Sequence, residues 1–252
     1  IRTMLAASGE AVGLPADHPG NAEAGHRTLG SGRTEAQFAN RVASALAGAG
    51  DETFANNPLL QGLIQKARSV GGAVHLIGLI SPAGVQGHQY HLAVLAALLS
   101  HEGIQVWIHA ILDGEDTGNR EGADFLSEFL HDIEGAENAH LATIMGRRYA
   151  LDRLQRPAQL LAALKAIAEA DAPVAEYAVP YVAGCYDKGI ADADVPPAKM
   201  VGYGGIRQDD VPLLALLRAD SASAMMAALI GEPTAPQALP NPIDISAAYS
   251  LP

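Results

Sequence analysis

Cysteine is nearly absent. Cys185 stands alone in 252 residues, which excludes an internal disulfide and a cysteine-built zinc cluster and fits a reducing setting, with the cytoplasm as the expected location. Positive charge is scarce too: 16 Lys and Arg against 28 Asp and Glu give a formal net charge of −12. Long-range repulsion therefore argues against nucleic acid or an anionic membrane as the main partner. A small anion stays open, because a few converging arginines decide local affinity through short charge-assisted bonds. No run reaches the roughly 18 apolar residues of a membrane span, and no basic stretch followed by an apolar one marks an export signal.

What is present is globular in character, with 49% apolar and 17% charged residues. That is too apolar for a disordered chain and enough for one large domain, or a domain plus a fragment, at about 100 to 200 residues per domain. Residues 1–33 are glycine-rich, with Gly9, Gly13, Gly20, Gly25, Gly30 and Gly32, and read as a loop-rich lead-in. Phe38, Val42 and Leu46 share one helical face, so a helix is expected over 35–46. Asn57-Pro58 opens a second one through residue 68.

After Gly71-Gly72 the run from Ala73 to Ile80 is short, apolar and partly β-branched, as a buried parallel strand should be. A helix over 91–99, a strand over 105–112, a helix near 121–131, a strand around 140–144, a helix over 157–170 and a strand over 212–217 continue the alternation. No internal repeat is found. The fold class expected is α/β, a mainly parallel sheet with helices on both faces in three layers, its ligands in loops beyond the carboxyl ends of the strands. The segment 195–205 reads as an excursion before the last strand, and the proline-rich 233–242 as a link leaving the domain.

Those strand-following loops carry Gly84-Val85-Gln86-Gly87-His88, Asp113-Gly114-Glu115-Asp116, Gly146-Arg147-Arg148 with Arg153, and Arg218-Ala219-Asp220. Three arginines among them point to an anion, phosphate or carboxylate. The blander readings are solvated surface charges for Arg147 and Arg153, and turn formation for Asp113 and Asp116. His88 and His91 lack a third ligand and are rejected as a metal pair. Cys185 reads as core, and His75, His109 and His140 as buried neutral histidines without a role.

The stretches Ala7-Ser8-Gly9-Glu10-Ala11-Val12-Gly13-Leu14-Pro15, Gly20-Asn21-Ala22-Glu23-Ala24-Gly25-His26 and Gly30-Ser31-Gly32-Arg33 resemble the nucleophile segment of the cofactor-independent phosphoglycerate mutases. The resemblance continues through Asn57-Pro58, the loop from Gly78 to His91, Leu112-Asp113-Gly114-Glu115-Asp116-Thr117, Gly146-Arg147-Arg148-Tyr149-Ala150-Leu151-Asp152-Arg153 and Leu217-Arg218-Ala219-Asp220. It implies an isomerase of glycolysis with two parts: a metal-binding domain of alkaline-phosphatase type and an inserted phosphotransferase domain that grips the substrate.

On that resemblance, residues 1–33 belong to the early part of the metal domain, 34–235 form the substrate domain, and 236–252 leave toward a metal domain that this stretch lacks. The family's metal ligands lie outside the stretch. No metal is expected in this chain, and manganese or magnesium only where a metal-binding domain, in the same or another chain, supplies its site. The family's serine nucleophile is Ala22 here, so no phosphoenzyme can form at that place. Its histidine after Gly84-Val85 is Gln86, its arginine before Asp116 is Glu115, and its second arginine in the last motif is Ser221.

Asp116, Arg147, Arg153 and Arg218 stand where the family binds substrate. Each lost arginine–anion contact weakens binding by roughly 1.5 to 3 kcal/mol, and Glu115 adds repulsion. The expected ligand is thus a small anionic phospho- or phosphono-acid, smaller or less charged than phosphoglycerate. The alternatives are a divergent enzyme completed by another metal-binding domain and a non-catalytic binding module.

Overall fold

The computed structural model describes residues 4–16, 18–20, 22–46, 56–151 and 156–231. Strand β1 (Val74–Ile80) is buried along its whole length, which requires cover on both of its faces. The strand supplies it by alternation: Val74, Leu76 and Ile80 enter one apolar cluster, and Ile77 and Leu79 enter another.

Parallel partners flank it. β2 (Val106–Leu112) pairs on one side and β6 (Val211–Ala215) on the other, and β3 (Ala139–Gly146) continues the parallel run beyond β2. Two short strands extend the far edge: β5 (Ala198–Met200) pairs antiparallel with β3, and β4 (Val174–Ala175) pairs parallel with β5. The order is β4-β5-β3-β2-β1-β6.

Helices cover both faces, so the sequence-based fold class holds. Leu60, Leu63 and Ile64 of α3 (Pro58–Val70), Leu92, Leu95 and Leu99 of α4 (Gln89–His101), Phe129 of α5 (Gly122–Asp132) and Val182 of α8 (Ala178–Asp187) pack into the first cluster. Leu164 and Ile167 of α7 (Pro157–Ala168) and Met225 and Leu229 of α9 (Ala219–Leu229) pack into the second. Cys185 is a buried thiol in α8, pushed up by burial, as a core residue should be.

Four expectations change. The lead-in is not all loop: α1 (Ala22–Ser31) lies in it and runs through Gly25 and Gly30, where an added Cβ would meet open space. A further helix, α2 (Phe38–Leu46), begins three residues after the expected start. His140 is exposed rather than buried, whereas His75 and His109 are fully enclosed. α7 stops at Ala168, and Ala170 adopts a left-handed φ of 53°.

Candidate functional site

The carboxyl ends of β1, β2 and β3 stand level, with Ile80 paired to Leu112 and Leu112 to Gly146. The next residue after each strand is polar: Ser81, Asp113 and Arg147. A buried polar group needs a partner, and these three find one another. Ser81 Oγ donates to Asp113 Oδ2 at 2.7 Å. Asp113 Oδ1 accepts from the backbone N–H groups of Glu115 (3.3 Å) and Asp116 (3.2 Å), and from Arg147 Nη1. Asp113 therefore does form the expected turn, and it also anchors a guanidinium.

Arg147 opens the short helix α6 (Arg147–Ala150), placed there because Gly146 has no side chain. A Cβ on Gly146 would lie 2.3 Å from the Ala193 carbonyl oxygen and 2.4 Å from that of Asp192. The Asp192–Asp194 turn can thus press against the strand end, where Gly146 N–H donates to the Val195 carbonyl at 2.8 Å.

The surface-charge reading of Arg147 fails, since its side chain is only 5% exposed. Its Nη1 donates to Asp116 Oδ2 at 2.8 Å, and Glu115 Oε2 lies 3.5 Å from its Nε. Burial works against its charge, but the Asp116 hydrogen bond and the charges of Asp113, Asp116 and Glu115 outweigh it, so the guanidinium is held above its usual range.

Arg148, more exposed, donates to Asp194 Oδ2 at 2.6 Å, and its Nε donates to Glu115 Oε1 at 3.4 Å. The structure therefore brings Asp116, Glu115 and Arg147 together, within a knot of two guanidiniums and four acidic side chains. The sequence reading missed the parts played by Ser81, Arg148 and Asp194. Ser81 was detectable as the first residue past a parallel strand, but nothing in the sequence marks Asp194 as a partner 46 positions from Arg148.

Arg218 is half-buried at the N-cap of α9, just beyond β6. The residue before it, Leu217, donates its N–H to the Gln86 carbonyl at 2.7 Å, which ties this exit to the loop after β1. Gln86 itself is buried. Ser221 lies in α9 and Ala22 is the first residue of α1. Arg153 lies outside the described residues.

On the same loop, the His18 ring occupies the place a Gly84 side chain would need, packing the lead-in against this edge. His88 caps α4 by accepting from Tyr90 N–H at 3.1 Å, and its ring stacks on His91. Burial first, then neighbouring histidines, lowers His88 and brings His91 down to about 4. Among the described residues no three His, Cys, Asp or Glu side chains are grouped to hold a metal ion, so they do not form a donor set for manganese or magnesium. No described helix is long and apolar enough to cross a membrane.

Comparison with known proteins identifies relatives of this chain. A family model described as "BPG-independent PGAM N-terminus" matches residues 48–246. A 2,3-bisphosphoglycerate-independent phosphoglycerate mutase of Wolbachia pipientis wMel is 39% identical over 231 residues, covering 92% of this chain and 44% of that protein. One from Gluconobacter oxydans is 36% identical, covering 90% and 44%. A Leishmania mexicana phosphoglycerate mutase, solved at low cobalt concentration, superposes with a TM-score of 0.80 at 25% identity, over 90% of this chain and 43% of that one. The chain spans less than half the length of each of these relatives.

Proposed function

This chain belongs to the BPG-independent phosphoglycerate mutase family, and on that premise we propose that it binds a small phospho- or phosphono-acid at the carboxyl edge of its sheet. The observation carrying the proposal is the buried Arg147, fixed by Asp113 and Asp116 where parallel α/β sheets take their ligands. A preorganised guanidinium loses little freedom on meeting an anion, and its planar fork suits phosphate or carboxylate.

In this reading Arg147, Arg153 and Arg218 take the ligand's anionic groups and Asp116 accepts from a hydroxyl. Glu115, beside Arg147, disfavours a highly charged ligand. Residues 34–235 act as the substrate domain, and residues 1–33 and 236–252 belong with the family's metal-binding part. When bound there, manganese or magnesium would supply charge neutralisation for phosphoryl transfer. Ala22 offers no hydroxyl, so the chain holds its ligand without forming a phosphoenzyme at that residue.

The test is calorimetric titration with phosphoglycerate and with a phosphonate analogue, alongside a mutase assay in manganese. Saturable binding of at least one ligand without turnover is expected. Turnover by the unaltered chain, or no binding of either ligand, contradicts the proposal.

A further inference from the structure

Away from the carboxyl edge, a chain of buried polar side chains crosses the sheet. Asp210, just ahead of β6, has its Oδ2 3.1 Å from His75 Nε2 in β1. His75 Nδ1 lies 3.0 Å from His109 Nε2 in β2, and His109 Nδ1 lies 2.9 Å from Thr143 Oγ1 in β3. His75, His109 and Thr143 have no solvent exposure, and Asp210 has 9%. Three adjacent strands and the turn leading into a fourth are thus linked through side chains as well as backbone.

The direction of these bonds follows from the donor inventory. Asp210 already accepts from Ala73 N–H at 2.8 Å and from Arg207 N–H at 2.7 Å. A carboxylate only accepts, so His75 Nε2 carries the hydrogen facing it. With His75 neutral, its Nδ1 accepts and His109 Nε2 must donate. His109 Nδ1 then accepts, and Thr143 donates to it. Every bond points toward Asp210.

A second arrangement is also complete. If His75 is a cation, its Nδ1–H donates to His109 Nε2, His109 carries its hydrogen on Nδ1, and Thr143 accepts. We propose that Asp210, His75, His109 and Thr143 form a one-proton switch, in which uptake of a single proton reverses both bonds beyond His75 and changes the tautomer of His109. The protons balance. Thr143 passes its hydrogen to His109 Nδ1, the Nε2 hydrogen of His109 passes to His75 Nδ1, and a proton from solvent replaces the one Thr143 gave.

The groups facing this chain come from several elements. Tyr203, from the β5–β6 connection, sets its ring edge-on to both imidazoles and its hydroxyl 3.4 Å from His75 Nδ1, while that hydroxyl donates to the Ile167 carbonyl of α7. Trp107 of β2 packs edge-on against Tyr203. Among the described residues, the titratable groups in this cluster are therefore Asp210, His75, His109 and Tyr203. Burial first, and then His75, hold His109 well below the usual histidine range, in keeping with a His109 that changes tautomer without becoming a cation. Burial raises Asp210, but its bonds from His75, Arg207 and Ala73 outweigh that and keep it lowered, hence ionised in both arrangements.

Ring-nitrogen NMR on the unmodified full chain, from pH 8 downward, reads the switch directly, because the two tautomers differ in their nitrogen shifts. At pH 8 both His75 and His109 are expected as Nε2–H tautomers. On acidification, one transition with a shared midpoint is expected, His75 becoming cationic and His109 moving to the Nδ1–H form. Asp210→Asn removes the acceptor that orients the chain, and a folded variant is expected to lose the shared transition. His109 as the Nδ1–H tautomer at pH 8, separate midpoints for the two rings, or unfolding before His109 changes tautomer would each overturn the proposal.

Discussion

Arg147 Nη1 donates to Asp116 Oδ2 at 2.8 Å while also bonded to Asp113, so the first residue after β3 is clamped by the loop after β2. Neither group could be buried alone, because an unpaired charge away from water costs several kcal/mol. Together they fix a cation at the sheet edge, and the proposed ligand site depends on that arrangement.

Asp113→Asn keeps the shape but removes the charge facing Arg147, and a turned Ser81 hydroxyl can still meet the new amide. Asp116 and Glu115 remain beside the guanidinium. The expected loss of stability is about 1.5 to 3 kcal/mol, the range for a hydrogen bond to a charged group. Urea denaturation measures it, and a loss below about 0.5 kcal/mol, the size of an ordinary surface substitution, would show that Asp113 does not anchor Arg147.

Gly146→Ala forces a methyl against the Asp192 and Ala193 carbonyls. Both contacts are backbone, so no side chain can swing aside, and a cost of about 1 to 3 kcal/mol is expected, as for other overpacked positions. Thermal unfolding of the variant against the parent checks this.

His91 has a pH signature. Its folded value is brought down to about 4 from the usual 6.5, chiefly by burial. The unfolded chain therefore binds the proton first, and the stability linked to this group is lost as pH falls from about 6.5 toward about 4. NMR should show His91 still neutral at pH 5.5, and a midpoint near 6.5 would contradict the burial seen here.

Asn57 caps α3, its Oδ1 accepting from Leu59 N–H at 2.9 Å and Leu60 N–H at 3.2 Å. Asn57→Ala should cost about 1 kcal/mol, measurable by urea denaturation.

Much of this fold can be read from sequence because parallel strands advertise themselves. Val74–Ile80 and Val106–Leu112 are apolar runs bounded by turn residues, and their shortness and β-branched residues, not a period, set them apart from the helices between them. β4 and β5 were not legible. They have two and three residues, too few for any periodicity, and are defined by their neighbours in the sheet. The helix over Ala22–Ser31 was hidden by its glycines.

At the site, position alone marked Arg147, Arg218 and the Asp113–Asp116 loop as polar groups beyond strands. The burial of Arg147 was not legible, because its acidic partners lie 31 to 34 residues away and only the strand register brings them near. His75 and His109 could be read as buried but not as bonded to each other, since that depends on the side chains of adjacent strands meeting.

The central claim is that guanidinium groups at the sheet's carboxyl edge hold the ligand's anion, and calorimetric titration with phosphoglycerate or its phosphonate analogue tests it in the parent, Arg218→Ala and Arg147→Lys chains. Losing one charge-assisted contact, roughly 1.5 to 3 kcal/mol, corresponds to about 10- to 150-fold weaker binding. Arg147→Lys keeps the charge but loses the fork, and a smaller loss is expected there. Affinity unchanged in both folded variants, for a ligand that binds the parent, would contradict the account.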